Sequence, residues 1–109
     1  MSVSIDDFAK IELRVGRILS VDDIPAARKP MYKLTVDLGE GQQKKCVAGI
    51  KSHYSKEDLT GKLVIAVVNL QPKNVAGVAS ECMLLAAFDD VNLSLLTPEK
   101  AIPVGSKVG

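Results

Sequence analysis

One polar segment separates two strongly apolar stretches of the chain, and its residue types suit contacts with a phosphorylated ligand. It runs from Asn69 to Ser80 and contains Lys73 as its single basic residue. A lysine can contact a phosphate, while amides and hydroxyls can contact a sugar or a base edge. Met83 begins the next apolar stretch and could offer a polarisable surface to a base. The alternative interpretation is an ordinary polar surface loop followed by a core methionine.

Residues suited to acid–base, nucleophilic or metal chemistry are sparse. His53 is the single histidine, and no serine or cysteine is visibly paired with it. Cys46 and Cys82 each lie in an apolar stretch, which predicts small buried side chains, and no CxxC pair occurs. The turn at 39–41 is a weak phosphate-loop candidate because no helix follows it. We therefore expect no enzyme, no cofactor and no metal site.

The charge balance limits the nucleic-acid contacts that the chain can make. Its 109 residues include 14 basic and 13 acidic side chains, which gives a formal net charge of +1. This argues against wholesale coating of DNA, which favours a strongly basic domain. Four basic and two acidic residues lie between Lys33 and Lys51. They indicate either a mildly basic face or a solvated sheet face with incidental lysines.

Length and hydropathy predict one domain, residues 1–109, with a core large enough to fold without disulfides or metal ions. The N-terminus is acidic and polar, unlike a signal peptide, and the longest apolar run, residues 63–70, is too short to span a bilayer. We expect no membrane association and a reducing, cytoplasmic location.

Hydrophobic alternation predicts an all-β chain with short helices. Ser4 and Ser55 have the side chains of helix N-caps. The first strand loses its alternation near Gly16, where we expect a bulge or tight bend. The predicted elements are a helix at 4–10, strands at 11–21, 31–38 and 43–50 with a hairpin turn at 39–41, a helical turn at 55–59, a strand at 63–70, a loop at 71–80, strands at 81–88 and 91–96, and an extended tail at 97–109.

A helix between the third and fourth strands of an all-β chain is typical of the oligonucleotide/oligosaccharide-binding (OB) barrel. The predicted fold class is therefore all-β, a five-stranded OB-fold barrel with short helices and N- and C-terminal extensions. The C-terminal extension has a surplus of apolar residues after the barrel is complete, and such residues need a partner surface. This predicts a dimer, and the residues concerned are Leu93, Leu95, Leu96, Ile102, Val104 and Val108.

A series of short motifs extends along nearly the whole chain: DDF at 6–8, LRVGRI at 13–18, VAGI at 47–50, HY at 53–54, VNL at 68–70, PK at 72–73, AG at 76–77, Ser80 and MLLAA at 83–87. Together they resemble the tRNA-binding domain family, which includes the C-terminal domain of methionyl-tRNA synthetase, free-standing tRNA-binding proteins and the chaperone-like protein CsaA. The resemblance implies a homodimeric OB barrel that recognises the shape of tRNA. Carried onto this chain, it implies tRNA contacts from Lys33, Asn69, Lys73, Ser80 and Met83.

Two departures from the family pattern leave a second function open. Asn74 stands where relatives often have a second basic residue, and Glu81 brings a negative charge beside the expected phosphate surface. Residues 27–34 and 80–81 look more like CsaA, which implies binding of unfolded preprotein peptides. The first interpretation is a homodimeric tRNA-binding protein, free-standing or beside a methionyl-tRNA synthetase. The alternatives are a CsaA-like export chaperone and a purely structural synthetase subunit.

Overall fold

The computed structural model describes all residues of the chain, 1–109, and β-strands are its main regular structure. The two helices begin as predicted, because the Ser4 and Ser55 Oγ atoms accept backbone N–H groups three residues on, at 3.0 and 3.1 Å. The elements are α1 (Ile5–Ala9), β1 (Leu13–Asp23), β2 (Tyr32–Asp37), β3 (Gln43–Ala48), α2 (Lys56–Leu59), β4 (Leu63–Val67), β5 (Lys73–Val75), β6 (Val78–Ser80), β7 (Met83–Leu84), β8 (Ala86–Phe88), β9 (Leu93–Leu95) and β10 (Lys107–Val108).

Five strands form a nearly closed barrel. Hydrogen-bonded neighbours follow the order β3-β2-β1-β4-β7, and each of these pairs is antiparallel. The remaining gap lies between β3 and β7, where Cys46 and Cys82 form an isolated parallel bridge. α2 separates β3 from β4 in the chain, and its Leu59 is fully buried in the core. The predicted OB-fold barrel is thus confirmed.

Alternation along β2 separates the core from the outer surface. Tyr32, Leu34 and Val36 are buried, and the residues between them are partly exposed. Lys33 on this outer side stands opposite Val47 of β3. Because directly opposed residues of antiparallel strands share a face, the register decides which side chains of β3 accompany Lys33.

The irregularity in β1 lies at a different place from the one predicted. The register with β2 shifts between Ile18 and Ser20, so the expected bulge at Gly16 is wrong. Gly16 keeps regular pairing with Val64 of β4. A Cβ on Gly16 would stand 2.5 Å from Val36 Cγ1, so the glycine permits close packing of β1 on β2 rather than a bend.

Residues 71–80, which the sequence predicts as a loop, contain a small hairpin. β5 pairs with β6 through Ala76 and Gly77, whose φ angles are 51° and 85°. Two consecutive positive φ angles are characteristic of a type I′ turn. The Asn74 Oδ1 atom also accepts the Gly77 N–H at 3.0 Å. The prediction missed the hairpin because Pro72 and Gly77 favoured a loop and each strand has only three residues.

The predicted strand at 81–88 is divided into β7 and β8 around Leu85. The Leu85 N–H donates to Ile65 O at 2.9 Å, and the Leu85 carbonyl accepts the Leu96 N–H at 3.0 Å. β7 therefore completes the barrel beside β4, while β8 turns away and pairs with β9. Apolar residues are continuous over this segment, so the hydropathy pattern could not show that its two halves pair with strands of two different sheets.

The C-terminal tail is extended, and its end joins the barrel sheet. β2 covers β1 only from Arg17 onward, which leaves the edge of Leu13 and Arg14 for β10. Gly105 brings the tail close, since a Cβ there would stand 2.6 Å from Leu38 O and its φ is +90°. Of the apolar residues expected to need a partner surface, Leu95 is buried in the core instead, and Leu93, Val104 and Val108 are partly buried within the chain.

Cys46 and Cys82 are buried as predicted, at 0% and 4% exposure, but they are joined in a disulfide. The interpretation of both as unpaired apolar side chains is therefore wrong. Their Cα atoms stand 5.0 Å apart although 36 positions separate them in sequence. Barrel closure brings them together, and their spacing alone carries no sign of this.

Candidate nucleic-acid interface

An open cavity of about 570 Å³ lies beside the β5–β6 hairpin. It brings together Lys73, Ser80 and Met83, three of the five residues that the family resemblance implies. We call this cavity, with Lys33 beside it, the candidate site. Its lining is Val47, Leu70, Gln71, Lys73, Val75, Ser80, Cys82 and Met83.

Lys73 and Met83 supply exposed groups of different chemistry. Lys73 is exposed at the start of β5, directly across from Ser80 on β6, and it forms no ion pair. Met83 is 47% exposed although its strand completes the barrel. The interpretation of Met83 as a core side chain is therefore wrong. An ammonium group and a thioether border one cavity, which suits a ligand that has both phosphate and apolar faces.

Ser80 and Glu81 connect the hairpin to the edge of β3. The Ser80 Oγ accepts the Val47 N–H at 3.0 Å. The Glu81 carboxylate accepts the Lys45 N–H at 3.0 Å, and the Glu81 N–H donates to Lys45 O at 2.7 Å. Both side chains thus satisfy backbone groups that a continuous strand would otherwise pair, and they set the position of the hairpin against the barrel.

Lys33 lies on the outer face of β2, opposite Val47, and Val47 itself lines the cavity. Lys45 stands opposite Thr35 on the same outer face. Neither lysine forms an ion pair. Lys45 is among the four basic residues between Lys33 and Lys51 but not among the expected site residues, although its two-residue offset from Val47 on β3 would have placed it on this face.

Two expected site residues, Lys33 and Asn69, are absent from the cavity lining, and Asn69 is engaged elsewhere in the fold. Its Oδ1 accepts the Glu12 N–H at 2.9 Å, and its Nδ2 donates to Lys10 O at 2.7 Å. The Val68 N–H also donates to Glu12 O, at 2.9 Å. Asn69 therefore fastens the segment after α1 to the end of β4. Leu70 and Gln71, its neighbours, line the cavity instead.

A second lysine-bearing region surrounds Asp23. The Asp23 carboxylate binds Lys56 Nζ at 2.8 Å and Lys51 Nζ at 3.0 Å. Hydrogen bonds donated by Lys56 and then Lys51 hold the pKa of Asp23 below its ordinary value, and the hydrogen bond that Lys56 donates to Asp23 raises the pKa of Lys56. Lys51 Nζ also lies 5.9 Å from the centre of the Tyr32 ring. We call Asp23, Lys51 and Lys56 the Asp23 cluster.

Residues 13–107 match the family described as "Putative tRNA binding domain". This match covers most of the 109-residue chain. The chain belongs to the tRNA-binding domain family. The predicted resemblance is thereby confirmed.

Curated relatives of this tRNA-binding domain are methionine–tRNA ligases. That of Methanococcus aeolicus is 48% identical over 106 residues, 97% of this chain and 15% of the ligase. That of Nanoarchaeum equitans is 50% identical over 106 residues, 97% of this chain and 13% of the ligase. The chain thus spans about one seventh of the length of these relatives, which are much longer proteins.

Solved structures with the same fold include CsaA chaperones and a protein related to methionyl-tRNA synthetase. The CsaA chaperone protein from Picrophilus torridus superposes with a TM-score of 0.92 at 38% identity, over 99% of this chain and 100% of the other. A protein from Pyrococcus horikoshii described as related to methionyl-tRNA synthetase superposes with a TM-score of 0.90 at 34% identity, over 100% and 99% of the two chains. Both branches that the sequence resembles are therefore found among the structural neighbours.

An apolar cavity of about 450 Å³ lies next to the candidate site and shares Val47 and Met83 with it. Ten of its eleven lining residues are hydrophobic, and they include Phe88, which is 78% exposed.

No group of three or more histidine, cysteine or acidic residues in the chain is arranged to hold a metal ion. None of its helices has the length and apolar character needed to cross a membrane.

Proposed function

We propose that this chain is a non-catalytic, structure-specific tRNA-binding protein. The observation that carries the proposal is the meeting of Lys73, Ser80 and Met83 at one open cavity in a domain of the tRNA-binding family. Lys33 and Lys45 extend the positive charge along the adjoining sheet face, and neither forms an ion pair, although Asp22 stands opposite Lys33 and the Glu81 carboxylate accepts the Lys45 N–H. A small number of lysines at fixed positions suits a folded RNA, whose phosphates are also at fixed positions, better than a flexible single strand.

The proposed binding step is electrostatic positioning without covalent chemistry. Lys33, Lys45 and Lys73 contact phosphates, and Met83 packs against a base or sugar. The Ser80 hydroxyl fixes the distance between the hairpin and β3 through its bond to Val47. The protein would raise the local concentration of tRNA, either free-standing in the cytoplasm or as an accessory subunit of an aminoacyl-tRNA synthetase, with methionyl-tRNA synthetase the first partner to test.

We also propose that the protein acts as a homodimer. Phe88 and Val91 are each 78% exposed, and Leu96 and Ile102 are each 41% exposed, although all four are apolar. They lie on or near the β8–β9 hairpin and the tail, outside the barrel core. Association of two copies would remove this surface from water. Light scattering at micromolar concentration should give about twice the 11.6 kDa mass of one chain, and a clean monomer would contradict the proposal.

The second candidate function is that of a CsaA-like chaperone that binds unfolded preprotein peptides. The observation that favours it is the apolar cavity of about 450 Å³, which continues onto exposed Phe88. Apolar side chains of an extended peptide could occupy it without any cation. The same surface is the one assigned above to the dimer, so the two uses compete unless the dimer itself forms the groove.

The test of the main proposal is a titration with folded tRNA and with a single-stranded oligonucleotide of equal length. We expect folded tRNA to bind at least about tenfold more tightly, a difference of about 1.4 kcal/mol. Equal affinity would contradict shape recognition. A pull-down from native extract, with bound RNA and protein both identified, then tests whether a synthetase accompanies the tRNA.

A further inference from the structure

The junction between β3 and the segment 80–82 is the one place where the barrel wall is not a continuous ladder. We call residues 45–47 and 80–82 the seam. An isolated bridge joins Cys46 and Cys82 there, and the bonds beside it are Glu81 N–H to Lys45 O at 2.7 Å, Lys45 N–H to Glu81 Oε1 at 3.0 Å, and Val47 N–H to Ser80 Oγ at 3.0 Å. The Cys46–Cys82 disulfide is the single covalent link across it.

The seam also determines where the candidate site stands. Ser80 is both a seam residue and the partner of Lys73 across the β5–β6 hairpin. Met83 directly follows Cys82, and Cys82 itself lines the cavity. Loosening of the seam would therefore move Lys73 relative to Lys33, which is fixed within the β1–β2–β3 sheet, and relative to Met83, which pairs with Val67 of β4.

The reducing chemistry expected around a tRNA-binding protein distinguishes this disulfide from a permanent structural one. A protein that binds tRNA works among reducing thiols, where disulfides are rare and are often transient or redox-sensing when they occur. We propose that the Cys46–Cys82 disulfide is a reversible redox latch that holds the candidate site in its binding geometry. The reducing surroundings and the effect on tRNA rest on the proposed function, whereas the disulfide and the seam contacts do not.

The opening step is thiol–disulfide exchange with a small thiol of the glutathione class. The thiolate attacks Cys82 Sγ, which is the sulfur on the cavity side, forms a mixed disulfide and releases the Cys46 thiolate. A second thiolate then attacks the sulfur of the bound small thiol and releases the Cys82 thiolate. Two small thiols are oxidised to one disulfide, the protein disulfide is reduced by two electrons, and the two cysteine thiolates take up two protons.

Burial of both sulfurs requires the seam to open before the attack. Cys46 is 0% and Cys82 is 4% exposed. Because an isolated bridge and two side-chain acceptors stand in place of a full ladder, the seam can open locally without disrupting β1, β2 and β4. Reduction should therefore leave the rest of the barrel folded.

Amide hydrogen exchange of the oxidised and the dithiothreitol-reduced protein tests the latch independently of any ligand. We expect the amides of Lys45, Val47 and Glu81 to exchange at least about tenfold faster after reduction, with those of β1 and β4 nearly unchanged. Equal exchange in both states overturns the latch. Uniform acceleration throughout the barrel also overturns it, because the disulfide would then be a structural staple.

Titration of the same two samples with folded tRNA tests control of the site. We expect the reduced form to bind about fivefold more weakly, because ordering the hairpin then opposes binding, and reoxidation by glutathione disulfide to restore the affinity. The variant with Cys46→Ala and Cys82→Ala should behave like the reduced form in either buffer. Equal affinity of the two wild-type forms, with a difference in seam exchange, overturns control of tRNA binding. If neither form binds tRNA, the proposed function fails, while hydrogen exchange still decides the latch.

Discussion

The Asp23 cluster and the candidate site contain lysines on the same small barrel, but the lysines differ in their partners. Lys51 and Lys56 share the carboxylate of Asp23, at 3.0 and 2.8 Å. Lys33 and Lys73 form no ion pair. A near-neutral chain can therefore leave some lysines without an ion pair while one carboxylate binds others, even though Glu81 lies at the candidate site. The position of the acidic residues, rather than the count of lysines, decides which face is available to a phosphate.

Salt dependence should show the largest effect of this difference. Binding of folded tRNA should weaken about twentyfold to five hundredfold between roughly 50 and 200 mM salt, since about three to five phosphate contacts each add about 0.7 to 0.9 to the log–log slope. Lys73→Gln and Lys33→Gln should each lower the slope by roughly one contact, and Lys51→Gln should not. A slope that Lys51→Gln reduces as much as Lys73→Gln does would remove the distinction between the two regions.

Charge reversal at single lysines should have the second-largest effect, because it should lower tRNA affinity in the candidate site and stability in the Asp23 cluster. We expect Lys73→Glu to lower tRNA affinity at least about tenfold, or about 1.4 kcal/mol, with little change in melting temperature because the side chain is exposed. Lys56→Glu makes the same change in net charge but places a second carboxylate beside Asp23. It should lower stability and leave tRNA affinity within about threefold of wild type. Paired titrations and thermal melts of the two variants measure both quantities.

Asn69 tests whether a residue implied by the family resemblance acts on the ligand or on the fold. Asn69→Ala removes bonds to Glu12 N–H and Lys10 O. Loss of these two bonds should cost about 1 to 2 kcal/mol in the free energy of unfolding. Asn69→Asp retains the acceptor and should lose about half as much. Neither should change tRNA affinity more than about threefold, and a larger loss of affinity at unchanged stability would return Asn69 to the binding surface.

The smallest expected effect is the pH dependence of the Asp23 cluster. The pKa of Asp23 is lowered from 3.8 in the folded chain, so its contribution to stability is complete above that value and is lost as pH falls through the lower folded-state pKa. Wild type and Asp23→Asn should thus differ by a constant amount in unfolding free energy near neutral pH and converge in acid. Chemical unfolding across this range checks it, and a difference that persists at the lowest pH would argue against the ion pairs.

The barrel could be predicted from the sequence because its signals are local and repeated. Alternation along β2, the caps at Ser4 and Ser55, and the glycine-rich hairpin turn each agree with the structure. The bulge in β1 could not be placed, since its position depends on the register with β2, and Gly16 serves close packing instead. The residue types along one strand do not determine which residues of the neighbouring strand lie opposite them.

The candidate site was predictable in part. Lys73, Ser80 and Met83 are close in sequence and meet at one cavity, so the family resemblance and the loop chemistry agree. The roles of Asn69 and of the disulfide depend on partners that are 57 and 36 positions away. Such contacts appear only once the barrel closes, and no spacing in the sequence indicates them.

The most direct test of the central claim is a paired titration of wild type and Lys73→Glu against folded tRNA and against a signal-sequence peptide. The account predicts that wild type binds tRNA, that the variant loses at least about tenfold in tRNA affinity, and that any peptide binding is nearly unchanged because it rests on apolar contacts. If the variant binds tRNA as well as wild type does, Lys73 is not in the site. If wild type binds the peptide and not tRNA, the apolar cavity is the functional surface and the CsaA-like function replaces the one proposed here.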